Sequence, residues 1–225
     1  MTWEERLQQA EKPKRLLDLF CGAGGAAMGY YQAGFHVTGV DIKPQPRYPF
    51  EFIQGDVMAL ELEFLRQFDA IHASPPCQWI TYAASQWRAQ GQEYPKLLEP
   101  IRERLVRAGR PYVIEQPVGK VLHHPLLLNG AMFGLRVKRD RYFETNWYLP
   151  MCLLPQDTKP TKMRRPFDAR TGQLFYPVGH FSGVKEAGVI MECAWMTQKE
   201  LAQAIPPAYA KYIGERLVAQ VMAEG

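Results

Sequence analysis

The stretch from Arg15 to Gly34 most constrains what this chain can become. Arg15-Leu16-Leu17-Asp18-Leu19-Phe20 is an apolar run of strand length. It passes directly into Cys21-Gly22-Ala23-Gly24-Gly25, and Ala26 to Ala33 then reads as a helix that Gly34 ends. Strand, glycine loop and helix in that order open a parallel α/β sheet. The glycines let the backbone turn sharply and bring its N–H groups close to a ligand.

Two more strands are predicted, Phe35 to Asp41 and Glu51 to Val57, each with an acid at its end. Asp41 lies where an acidic residue can bind a ribose hydroxyl pair. Asp56 is placed to accept a hydrogen bond from an adenine amino group. The alternative for both is a strand-terminating turn residue. Together with the glycine loop they describe a nucleoside-bearing cofactor lying across the strand ends. No Gly-Lys-Ser/Thr follows the loop, so it is not a Walker A motif. Gly22, Gly24 and Gly25 also lack the GxGxxG spacing of hydride-transfer enzymes. A cofactor with a carboxylate and an amine but no pyrophosphate suits the loop better, and S-adenosylmethionine is such a molecule.

A fourth strand, Ala70 to Ala73, stops at Ser74-Pro75-Pro76-Cys77-Gln78. Two prolines cannot continue a ladder, and they limit where Cys77 can point. A thiol at the C-terminal end of a strand in an open α/β sheet sits where such sheets place ligands. The alternative is a buried structural cysteine. Tyr94 to Ala108 is predicted as a helix with Leu97, Leu98, Ile101, Leu105 and Val106 on one side. Pro111 to Pro117 is a strand with Glu115 near its tip. Thr197 to Ala204 is a short helix with Thr197 as N-cap and Glu200 at the capping-box position. In a last helix, Ala208 to about Met222, the residues Tyr209, Ile213, Leu217 and Val221 form the core face.

The chain has 225 residues, 47% hydrophobic and 22% charged, which fits a globular protein with a real core. A net charge of +4 permits an anionic partner without demanding one. The cysteines, Cys21, Cys77, Cys152 and Cys193, form no CxxC pair, so a reducing compartment is expected. The charged N-terminus, with a helix expected from Glu4 to Glu11, is not a signal peptide. No apolar run has the length of a membrane span, so no membrane partner is expected. His123-His124 has no partner cluster at metal spacing, so no metal is expected either.

With Asp18-Leu19-Phe20-Cys21-Gly22-Ala23-Gly24-Gly25 and Ser74-Pro75-Pro76-Cys77-Gln78 in this order and at this separation, the chain resembles the cytosine-C5 DNA methyltransferases. The resemblance implies an α/β class I S-adenosylmethionine-dependent methyltransferase fold. That fold is a Rossmann-like, mostly parallel sheet with helices on both faces, joined here by a small target-recognition subdomain. The implied division is a catalytic and cofactor-binding domain over 1–147, the subdomain over 148–196, and C-terminal helices over 197–225 that pack back on the catalytic domain.

Site residues follow from the same likeness. Asp18, Phe20, Cys21, Gly22, Ala23, Gly24, Gly25, Asp41, Ile42, Asp56, Val57, Ser74 and Pro76 would bind the cofactor. Cys77 would be the nucleophile. Glu115 would hold the cytosine ring, although Gln116 follows it where the family has Asn. Arg139-Asp140-Arg141 resembles the family's Arg-x-Arg. Arg141 would face the base, and Arg139 would support the site or bind phosphate. Trp79 to Gln92 corresponds to a mobile loop that closes over substrate and would carry Trp87, Arg88 and Gln90 toward DNA, and Gln78 and Trp79 would also contact DNA. The alternative is an ordinary surface loop. Ala204 to Gly214 resembles the family's last motif without its Gly-Asn-Ser/Ala start.

Between these motifs, Lys159, Lys162, Arg164, Arg165 and Arg170 precede Phe175, Tyr176, His180 and Phe181. Basic and aromatic residues together suit phosphate and base contact. A compact β-hairpin subdomain with a solvated charged face is the alternative. The expected function is transfer of a methyl group from S-adenosylmethionine to carbon 5 of a flipped cytosine in double-stranded DNA, within a short recognition sequence. A monomer in the cytoplasm of a bacterial or phage-infected cell is expected. The alternatives are the same chemistry on RNA, single-stranded DNA or free nucleotides, or a non-catalytic cofactor- or DNA-binding protein.

Overall fold

The structure, a computed structural model, describes residues 13–150, 174–179 and 181–224. The expected helix from Glu4 to Glu11 and the basic residues Lys159, Lys162, Arg164, Arg165 and Arg170 lie outside them.

The chain begins with β1 (Arg15–Leu19), α1 (Gly25–Gln32), β2 (His36–Asp41) and β3 (Glu51–Gln54). Then come α2 (Leu62–Leu65), β4 (Ala70–Ala73), α3 (Ser85–Ala89), α4 (Leu98–Ala108) and β5 (Tyr112–Gln116). Next are β6 (Leu126–Leu128), β7 (Arg141–Thr145), α5 (Val184–Ile190), α6 (Gln198–Leu201) and α7 (Pro207–Glu224). Seven strands form one sheet in the order β3-β2-β1-β4-β5-β7-β6. The first five run parallel, and β7 is antiparallel to both β5 and β6.

From β1 the chain first builds outward through β2 to β3, then returns to the other side of β1 for β4 and β5. The strand order therefore reverses between β1 and β4, and α/β sheets bind ligands at such a point. The glycine loop after β1 and the Pro-Pro turn after β4 emerge there side by side. Ser74 N donates to Leu19 O at 3.1 Å across the gap.

Alternation along the strands sends successive residues to opposite faces. Leu16 joins a core with Tyr30, Phe35 and Val37, covered by α1 and α7. Leu17 and Leu19 join a second core with Ile71, Ile101, Leu105 and Ile114, covered by α2 and α4. The predicted apolar face of α7 is the observed one, with Tyr209, Ile213, Leu217 and Val221 all buried. Gly29 lets α7 lie close against α1, because a Cβ there would strike Pro207 O and Lys211 N. The Thr197–Glu200 capping box is present at the start of α6. A third cluster joins Ala23 and Val137 to Phe175, Met191, Cys193 and Leu201.

Several boundaries differ from the sequence reading. The third strand stops at Gln54 rather than Val57, because Asp56 caps a short 3-10 turn (Val57–Ala59) by accepting from Met58 N at 2.9 Å. The helix expected from Tyr94 starts at Leu98, and Val106, placed on its apolar side, is exposed. Trp79 to Gln92 is not all loop, since Tyr82–Ala84 is 3-10 and α3 follows.

Candidate active site

Phe20, at the end of β1, is one of few non-glycine residues with positive φ, at 59°. This left-handed step swings the chain out of the sheet into Gly22 and Gly24, which have φ of 51° and 83°. Gly24 N closes the turn onto Cys21 O at 3.1 Å. Asp41, at the tip of β2, braces the loop from outside. Its Oδ2 accepts from Gly22 N at 3.1 Å, and its Oδ1 accepts from Lys43 N at 2.9 Å. A Cβ at Gly22 would meet nothing within 4 Å, so the loop faces open space there. Ile42 beside it is 63% exposed, and Asp56 stands exposed at the end of the neighbouring strand. Asp18 and Ala23 are buried behind the loop, and Trp195 Nε1 donates to Ala23 O at 2.9 Å.

Asp18 is less accessible to a ligand than the sequence suggests. It is almost fully buried, and its Oδ2 has no hydrogen-bond partner. Burial pushes its carboxyl well above the ordinary 3.8, and the Asp41 charge adds to that. Cys21 is pushed up too, chiefly by burial, so it is an inert thiol. The ring of Tyr48 lies over this region, and Gly39 lacks the Cβ that would collide with it. Nothing in the sequence singled out Tyr48.

After β4, Pro75 and Pro76 carry the chain to Cys77, whose carbonyl accepts from Ile80 N at 3.1 Å and Thr81 N at 3.0 Å. Cys77 is half-buried. From β5, Gln116 Nε2 donates to Pro75 O at 2.7 Å. Glu115, one residue earlier on the opposite face of β5, is buried and ion-paired, with Arg141 Nε 2.8 Å from its Oε1. That N–H is not aligned for a hydrogen bond, since Oε1 otherwise lacks a partner. Burial raises the Glu115 carboxyl above 4.5, while Arg141, Arg139 and the Ser74 hydroxyl pull it down. Burial raises the Cys77 thiol above 9.0 with help from Glu115, and Arg141 and Arg139 oppose the shift. A thiol, a carboxyl and two guanidinium groups thus share one electrostatic neighbourhood, although they come from the turn after β4, from β5, and from β7 and the segment just before it.

Arg139 does not fit phosphate binding. It is 2% exposed, and its guanidinium donates to Ala204 O, Pro177 O and Ala202 O at 2.8–3.0 Å. Burial opposes its charge, and the three carbonyls compensate. Tyr209 OH in turn donates to Arg139 O at 2.8 Å. Arg139 is therefore committed to three backbone carbonyls, and the phosphate contact is the one of its two expected roles that this geometry disfavours. Arg88 is also committed, because its Nη1 donates to Gln78 O at 2.5 Å and Thr81 O at 2.8 Å. It staples the segment after Cys77 instead of reaching outward. Trp79 packs partly into the second core, whereas Tyr82 and Trp87 are 91% and 51% exposed.

The sheet order, with its antiparallel β7 between β5 and β6, is that of the class I methyltransferases. Entamoeba histolytica methyltransferase EhMeth superposes with a TM-score of 0.60 at 14% identity, over 94% of this chain and 99% of that one. A prophage-encoded E. coli protein assigned as a DNA modification methyltransferase gives 0.57 at 15% identity, over 93% and 99%. The fold is therefore the class I methyltransferase fold. Within it, residues 14–114 match the family model "C-5 cytosine-specific DNA methylase". Type II methyltransferase M1.HphI of Haemophilus parahaemolyticus is 28% identical over 123 residues, 48% of this chain. The chain spans about a third of that relative's length (33%).

Proposed function

We propose that this protein is a DNA cytosine-C5 methyltransferase that uses S-adenosylmethionine and a covalent Cys77 adduct. The observation that carries the reading is the convergence of Cys77, Glu115 and Arg141 at the strand ends, where the turn after β4 is bonded to the end of β1 that leads into the glycine loop. The residues present fit the cofactor. Gly22 leaves open space, Asp41 braces the loop with lone pairs left for ribose hydroxyls, and Asp56 keeps one oxygen beyond its bond to Met58 N. Val57 and Ile42 would flank the adenine, and Ser74 and Pro76 the methionine end. When bound, S-adenosylmethionine supplies the electrophilic methyl group that carbon 5 takes up.

Carbon 5 of cytosine is a poor nucleophile. The Cys77 thiolate adds to carbon 6, and the ring electrons this displaces make carbon 5 enamine-like. Glu115 donates a proton to N3 and accepts from the exocyclic amine, favouring charge build-up in the ring. Arg141 binds the ring oxygen and holds Glu115. After methylation, the carbon 5 proton passes to a water molecule as Cys77 leaves as a thiolate, and N3 returns its proton to Glu115. A base in a duplex must leave the stack to reach this site.

The reactive form pairs a Cys77 thiolate with a protonated Glu115. The thiol holds its proton more tightly than the carboxyl, so this form is a minor tautomer of the singly protonated pair. kcat/KM therefore rises as Glu115 ionises and falls as Cys77 ionises.

The division that accompanies this reading is catalytic 1–147, target-reading 148–196 and supporting 197–225, in a monomer acting on duplex DNA. Exposed Tyr82 and Trp87, with Gln78, face DNA, as do Lys162, Arg164 and Arg165. A bacterial or phage-infected cytoplasm is the setting, in keeping with the restriction-modification relative.

The test is methyl transfer from labelled S-adenosylmethionine to duplex DNA, single-stranded DNA, transfer RNA and cytidine nucleotides, each with a Cys77→Ser control. Cys77-dependent labelling of duplex DNA is expected. Labelling of RNA or nucleotides alone moves the substrate and keeps the chemistry. Cofactor binding without any labelling overturns the enzyme reading.

A further inference from the structure

The glycine loop is open at Gly22 and held at each of the residues that follow, by parts of the chain far from it in sequence. Trp195 Nε1 donates to Ala23 O at 2.9 Å, across 172 positions. At Gly24 a Cβ would come within 2.8 Å of Pro49 Cδ, and at Gly25 within 2.4 Å of Ile205 O. The loop is thus wedged between the turn that carries Tyr48 and Pro49 and the segment from Trp195 to Ile205. These two flanks are joined to each other, because Arg47 Nη1 donates to Glu200 Oε1 at 3.3 Å.

Local chemistry explains both contacts. Trp195 is half-buried, and its ring packs against the third cluster, which also takes in Ala23. That packing fixes the indole, whose N–H can only donate and needs an acceptor. Glu200 is set by the capping box of α6. Its Oε2 accepts from Thr197 N at 2.6 Å and from Thr197 Oγ1 at 2.7 Å, so Oε1 is left for Arg47. A loop that offers its N–H groups to a ligand loses affinity to whatever ordering it undergoes on binding. A carbonyl already held by a packed donor removes part of that ordering in advance.

We infer that Trp195, with the Arg47–Glu200 pair beside it, preorganises the glycine loop, so that affinity for S-adenosylmethionine is set in part by residues 195–205. They are positioning residues, since they act through the Ala23 carbonyl and the turn at Pro49 rather than on a reacting atom. The effect on affinity rests on the cofactor proposed above; the hold on the empty loop does not.

Two measurements on the full chain test this. The first is calorimetric titration with S-adenosylmethionine. Trp195→Phe keeps an aromatic ring in the cluster and removes the N–H. Affinity should fall about fivefold to tenfold, the equivalent of one hydrogen bond. Arg47→Met breaks a half-exposed pair and should lower affinity only about twofold, and less at high salt. In methyl transfer, Trp195→Phe should raise KM for S-adenosylmethionine by the same factor, with kcat and KM for DNA little changed. An unmoved affinity, or a loss spread over kcat and both KM values, would overturn the positioning role. The second is amide hydrogen exchange of the cofactor-free protein. The peptide from Cys21 to Met28 should exchange faster in Trp195→Phe than in the unmodified protein, while α7 is unchanged. Equal exchange in the loop, or faster exchange throughout, would mean that Trp195 serves packing alone. If the unmodified protein binds no S-adenosylmethionine, the proposed cofactor fails, and loop exchange alone decides whether Trp195 holds the loop.

Discussion

The Gln116 amide donates to the Pro75 carbonyl at 2.7 Å and so ties the tip of β5 to the turn that carries Cys77. Two neighbours on one strand thereby divide the site between them. Glu115 meets Arg141 on one side of the sheet, and Gln116, fully buried, fixes the turn that carries Cys77 from the other. Gln116→Leu should leave Pro75 O unpaired, lowering stability by about 1–3 kcal/mol. Methyl transfer should fall by about tenfold or more, because Cys77 loses its register. Gln116→Asn, one carbon shorter, should show a milder form of both. Denaturant melts and labelled transfer on the same preparations check this, and full activity in Gln116→Leu would remove the tether's role.

Asp41 holds two backbone N–H groups, Gly22 N and Lys43 N, with separate oxygens. Asn at 41 keeps one acceptor and turns an NH2 toward a donor. S-adenosylmethionine affinity should then drop by about tenfold, the equivalent of one lost hydrogen bond to a charged group. Calorimetric titration of the two proteins measures it. Equal affinities would mean that the loop keeps its shape without Asp41.

The pH profile of kcat/KM should be a bell displaced upward on both sides. Its rising limb follows Glu115, which burial raises above 4.5, and its falling limb follows Cys77, which burial raises above 9.0. Arg141→Met removes the cation that opposes both shifts, so both limbs should move further up. A rising limb at or below the ordinary glutamate range would contradict the buried carboxyl seen here.

Acid stability reports on His72 directly. The folded protein holds it neutral down to about 3, whereas the unfolded chain protonates it near 6.5. Within that window the unfolded state binds the extra proton, so stability falls as pH falls, by up to about 1.4 kcal/mol per unit. Above 6.5 the group contributes no slope. Urea unfolding at a series of pH values should show a shallower acid decline for His72→Asn than for the unmodified protein. Identical slopes would mean that the imidazole charges inside the fold.

The glycine loop, the strand-end acids, the Pro-Pro-Cys turn and the α7 core face were all legible in the sequence. Each follows from a local rule. Proline stops a ladder, glycine permits positive φ, and a fourfold apolar repeat marks one side of a helix. Helix starts were less legible, as at Leu98, where no side chain caps the first turn.

The sequence by itself determined the class of sheet and the order in which chemical groups arrive at its upper edge, because strand alternation and turn residues act over a few positions. Tertiary structure alone decided which groups meet. Arg139 could have been a phosphate ligand until its three carbonyl partners, Pro177, Ala202 and Ala204, closed around it. Arg88 could have faced DNA until Gln78 and Thr81 took its guanidinium. His72 looked like one more strand residue until Tyr30, 42 positions away, gave it a partner. Buried polar groups must be satisfied, and their partners come from whichever elements packing brings alongside, so no local reading of the chain can supply them.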